Sequence, residues 1–61
     1  MKHHVVVADD VASVRAVVRA ALDADGRFVV VGEASDGPTA AEMVDALGPD
    51  LLVARDRRDR G

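Results

Sequence analysis

A chain of 61 residues makes one small domain, and a chain of that size buries only about 60% of the surface its unfolded form exposes. Without cysteine it has neither disulfides nor a Cys/His zinc site to staple a thin core. The net charge of −3 hides an asymmetry: four of the eight bases stand between Arg55 and Arg60, which leaves four bases against nine acids elsewhere, and Phe28 is the one aromatic. That balance argues against a nucleic-acid module, which needs a basic face and stacking rings.

No apolar run approaches about 18 residues and no leader with an apolar core is present, so a cytoplasmic domain with no membrane contact is expected. His3 and His4 enter the first strand, predicted over 5–8. Neighbours on a strand point to opposite faces and cannot converge on one ion, so these two are read as a solvated entry rather than metal ligands. Val5, Val6 and Val7 form a β-branched run with the character of a buried strand, and it ends in two adjacent carboxylates, Asp9 and Asp10. Ligands of open α/β sheets bind at the carboxyl ends of strands, which makes this pair a functional candidate. The plainer reading is that Asp10 caps the next helix, although one cap does not require two acids.

A helix is predicted over 11–25. Val14, Val17, Val18, Ala21 and Leu22 recur at i, i+3, i+4, i+7 and i+8 as one apolar stripe, with Arg15, Arg19 and Asp23 on the other face. Gly26 is placed to end it in a left-handed conformation, so Asp23 to Gly26 is a helix end and not a calcium loop. Residues 28–32, FVVVG, read as a second strand buried on both faces. The interval between the two strands holds a helix and is too long for a hairpin, so the pair is parallel with a right-handed crossover.

A second helix is predicted over 37–47, with Asp36 as its cap and Pro38 in its first turn. Ala40, Met43, Val44 and Leu47 make its apolar stripe, and Gly48-Pro49 stops it; Met43 is read as core. A third strand is predicted over 50–54, giving β-α-β-α-β. Residues 55–61, RDRRDRG, have nothing apolar to pack and read as a solvated charged tail.

These residues carry a resemblance. VVVADD, then VVGEASDG at Val30 to Gly37, then PDLLV at Pro49 to Val53, resembles the receiver domain of the response regulators of bacterial two-component systems. The wording VGEASDG is most similar to the NarL/FixJ subfamily. The resemblance implies an α/β, truncated flavodoxin-like fold over 1–54, with three parallel strands in the order 2-1-3 and one helix on each face. It implies phosphorelay signalling with a histidine kinase as partner. It also implies Mg²⁺ on Asp9 and Asp10, a hard cation that takes oxygen ligands and neutralises phosphoryl oxygens during in-line transfer.

The acceptor position departs from the family. Counting through PDLLVA, the expected aspartate falls on Arg55, with Asp56 one residue late, so Asp56 serves only if a bulge re-aims it. Arg55, always charged, is expected to sit near the two acids in the metal's place and make Mg²⁺ binding weak. The later strands of the family lie beyond this sequence, so the third strand is expected to be an apolar edge that invites self-association. The reading is therefore a partial receiver that takes no phosphoryl group, acts as an interaction module or decoy, and is not an enzyme. Two rivals are weaker. An aspartyl phosphohydrolase alternates its acids by one residue and needs Lys and Ser/Thr partners, and a dinucleotide site needs glycine in the first strand-helix turn, where Ala8 to Ser13 has none.

Overall fold

A computed structural model describes residues 1–54. The elements are β1 (His3–Ala8), α1 (Ala12–Asp25), β2 (Phe28–Ala34), α2 (Gly37–Leu47) and β3 (Leu51–Ala54). The three strands form one sheet in the order β2-β1-β3, with β1 parallel to both neighbours. This is the α/β, flavodoxin-like arrangement expected from the sequence. The charged tail, Arg55 to Gly61, lies outside the described residues.

β1 is central, and its position explains the burial. Val5, Val6 and Val7 are the large side chains that lose all or nearly all contact with solvent. Four boundaries differ from the expected ones: β1 begins at His3, α1 at Ala12 and β3 at Leu51, and β2 runs on to Ala34. His3 pairs with Phe28 and His4 with Val29, so the two histidines belong to the ladder while remaining exposed. β2 is not buried on both faces. Only Ala34 is buried and the rest is half-buried, because a strand with one neighbour leaves its outer edge open.

Alternation along β1 sends Val6 and Ala8 to one face and Val5 and Val7 to the other. α2 covers the first face, where Ala8, Ala34 and Ala40 form a small buried cluster with Met43 against it. The register of β1 on β2 shifts between Val5 and Val6, setting Val5 against Val30 and Val6 against Gly32. A Cβ at Gly32 would lie 3.1 Å from Met43 Sδ and 3.2 Å from Leu47 Cδ1, so the missing side chain is what lets α2 approach the sheet.

α1 covers the opposite face less completely, with no fully buried residue. The five-residue stripe read from the sequence is narrower in the structure: Val14, Val18 and Leu22 are half-buried, whereas Val17 is 69% exposed and Ala21 is exposed. Three strands are too few to seat a wide stripe, and a spacing of four along one ridge is what remains in contact. Both helices end on left-handed glycines, Gly26 at φ 83° and Gly48 at φ 57°. Among the described residues no helix is long and apolar enough to cross a membrane.

Candidate functional site

The carboxyl end of β1 lies where the strand order reverses, with β2 on one side and β3 on the other, and Asp9 and Asp10 stand there. The ladder to β2 continues one residue past the strand, since Asp9 N donates to Ala34 O at 3.0 Å. That bond holds Asp9 in the sheet, where it is 4% exposed. A buried carboxylate is costly unless its oxygens are bonded. Asp9 Oδ1 accepts from the Val11 N–H at 2.8 Å, a donor from the approach to α1. Asp10, the next residue, is exposed.

The capping reading of Asp10 is corrected by this geometry. The N-cap of α1 is Val11, with no side-chain cap bond, and Val14 N and Arg15 N both reach Val11 O at 3.1 Å. The carboxylate that serves the helix entry is that of Asp9, by the same Val11 bond. Asp36 does cap α2 as expected, its Oδ1 accepting from Thr39 N at 2.8 Å. Those hydrogen bonds hold the Asp36 carboxyl below its ordinary range.

Reading the sequence alone missed two residues. Arg15 and Arg19, placed on the solvent face of α1, instead converge on Glu33 near the end of β2. Arg15 Nε lies 3.7 Å from Glu33 Oε1, and Arg19 Nη1 donates to Glu33 Oε2 at 2.7 Å. Arg15 Nη1 also donates to the main-chain carbonyl of Asp9. The available signal was the i, i+4 spacing of the two arginines beside an acid that ends an otherwise apolar strand. Its meaning depended on which way α1 is turned on the sheet.

The donor set was tested against a divalent cation. Two adjacent carboxylates, one fixed in the sheet and one exposed, suit a hard ion such as Mg²⁺, which binds through one or two carboxylates and keeps its waters. They do not suit an all-protein cage: among the described residues no group of three or more His, Cys, Asp or Glu could hold a metal. β3 ends at Ala54, which pairs with Ala8. The residues next in sequence, Arg55 and Asp56, on which the acceptor question falls, lie outside the described residues.

No family model matches the chain. Curated relatives do. The chain is 44% identical over 49 residues to protein-glutamate methylesterase/protein-glutamine glutaminase 4 of Geobacter metallireducens, covering 80% of this chain and 14% of that protein. It is 43% identical over 52 residues to protein-glutamate methylesterase/protein-glutamine glutaminase 1 of Caulobacter vibrioides, covering 85% of this chain and 15% of that protein. A similar relative from Rhizobium johnstonii is 40% identical over 49 residues. The chain thus spans about a seventh of the length of these relatives. The matches support the resemblance to a response-regulator receiver and do not extend to the NarL/FixJ subfamily.

Proposed function

We propose that this chain is the first part of a response-regulator receiver, a cytoplasmic signalling module whose counterpart is a histidine kinase. One observation carries the reading. Two adjacent carboxylates, Asp9 buried and Asp10 exposed, follow the central strand of a β2-β1-β3 parallel sheet at the point where the strand order switches. Asp9 and Asp10 would hold Mg²⁺, which when bound neutralises oxyanions brought to that end of the sheet. The methylesterase and glutaminase activities named for the relatives belong to proteins of which this chain spans a seventh, and we do not carry them over: the chain is read as a non-enzyme.

The acceptor position sets what kind of receiver it is. In sequence, Arg55 follows Ala54 as Asp9 follows Ala8, and Ala8 and Ala54 are paired across β1 and β3. An arginine at the acceptor position of the sequence neither accepts a phosphoryl group nor favours a cation beside it, so the module works without phosphorylation and binds Mg²⁺ weakly. The test is intact-mass spectrometry of the chain after incubation with Mg²⁺ and acetyl phosphate, beside Asp56→Ala. No adduct is expected on either. A labile phosphoryl adduct that disappears in Asp56→Ala would make Asp56 the acceptor and overturn this part of the reading.

A second reading, an interaction module that assembles with its own copies, is favoured by the β3 edge. Leu51 and Leu52 are 43% and 44% exposed, and as strand neighbours they point to opposite faces. Among the described residues β3 is paired on one side only, by β1. An apolar edge open on both faces invites a further strand.

A further inference from the structure

Arg15 is an unusual member of its helix. α1 has no buried residue, yet the Arg15 side chain is 20% exposed. Its guanidinium joins three places at once: it sits on α1, donates to the Asp9 main-chain carbonyl at the end of β1, and pairs with Glu33 on β2. Glu33 is itself held from the other side by Arg19, at 2.7 Å.

The Asp9 carbonyl belongs to the peptide that joins Asp9 to Asp10. Fixing that oxygen fixes the plane of the peptide and hence the direction in which Asp10 leaves the strand. The bond from Val11 N to Asp9 Oδ1 spans that same peptide, so the side chain of Asp9 and the peptide after it belong to one turn. We propose that Arg15, oriented by Glu33, is a positioning residue for the Asp9–Asp10 carboxylate pair and sets its affinity for a divalent cation by holding the peptide between them. This rests on reading that pair as a cation site.

A guanidinium close to a cation site also repels the cation, so the sign of the effect separates two roles. Glu33 lies against Arg15 and offsets its field, which leaves the bond to the Asp9 carbonyl as the main contribution. Lysine keeps the charge but not the planar fork that reaches Asp9 and Glu33 together. Arg15→Lys therefore removes the positioning while preserving net charge.

The test uses the full chain with Mn²⁺ as the probe, read residue by residue as paramagnetic broadening of the backbone amides. Arg15→Lys is expected to bind Mn²⁺ about tenfold more weakly, the usual scale for loss of an outer-shell partner. Arg27→Lys, altering a residue whose side-chain bonds run to Asp25 at the far end of α1, is expected to stay close to the wild type. Wild-type affinity in Arg15→Lys, or tighter binding in Arg15→Met, would mean that only charge matters and would overturn the proposal.

A metal-free measurement accompanies it. Exchange of the Val11 amide, whose acceptor is Asp9 Oδ1, should quicken by about tenfold in Arg15→Lys relative to Arg27→Lys, as expected for weakening one hydrogen-bonded turn. Equal rates in the two variants overturn the positioning role. If wild type and Asp9→Asn broaden alike with Mn²⁺, the cation reading of the pair fails, and the exchange rates alone decide whether Arg15 positions the turn.

Discussion

Asp50 and His4 are joined by two hydrogen bonds of opposite direction. Asp50 N donates to His4 O at 2.8 Å, and Asp50 Oδ2 accepts from His4 N at 2.8 Å. The pair sits one step before Val5 meets Leu51, so it closes the start of the β1–β3 ladder and sets its register. Pro49 before it disfavours a right-handed helical conformation for Gly48, which is left-handed at φ 57° and ψ 50°.

Replacing Asp50 by alanine removes the acceptor for His4 N and leaves the main-chain bond. The expected loss is about 1 kcal/mol, at the ordinary scale for one exposed hydrogen bond. Urea unfolding measures it, and exchange of the His4 amide locates it. A variant with wild-type midpoint and wild-type His4 exchange would show that the carboxylate does not hold the register.

Gly32 is where the sheet and α2 come closest, with Met43 and Leu47 over it. Gly32→Ala forces a small shift of the flexible Met43 thioether and should cost little. Gly32→Val cannot be absorbed in the same way and is expected to destabilise by about 1–3 kcal/mol, the range for overpacking a core. Equal unfolding midpoints for the two variants would mean that α2 is free to back away.

Asp36 gives the pH dependence. Its carboxyl is held below the ordinary value by the Thr39 hydrogen bonds, so its contribution to stability is complete above the unfolded carboxylate range and is lost as pH falls through the lowered folded value. Asp36→Asn keeps an acceptor for the cap but does not titrate. Wild type should therefore lose more stability than Asp36→Asn between neutral and strongly acid pH. Parallel curves would assign the acid sensitivity elsewhere, and Asp25, likewise lowered by its Arg27 partner, is the next group to substitute.

The β3 edge gives a fourth prediction. If copies of the chain assemble through it, Leu51→Lys should shift the population toward monomer, because charge on an edge strand is the common device against edge pairing. Sedimentation velocity over a concentration series reads this directly. Val17→Lys, at a still more exposed apolar position on α1, is expected to leave the distribution unchanged; an equal effect of the two would point to general stickiness rather than an edge.

The sequence alone carried the order of elements. An unbroken valine run can be buried on both faces only in a central strand, and the interval from Ala8 to Phe28 is long enough for a helical crossover but not for a hairpin. Asp36 with Pro38, and the glycines at 26 and 48, marked helix ends because their chemistry is local: a side-chain acceptor for free N–H groups, a fixed φ, and a left-handed turn. The adjacency of Asp9 and Asp10 at a strand end was equally visible. What only the tertiary structure decided was how each helix is turned on a three-stranded sheet. Periodicity gives an apolar stripe but not its width, which depends on how much sheet lies beneath it, so Val17 and Ala21 fall outside while Arg15 falls inside. For the same reason Glu33, an acid near the end of an apolar strand, gained its two arginine partners from packing between elements distant in sequence, where no local rule reaches.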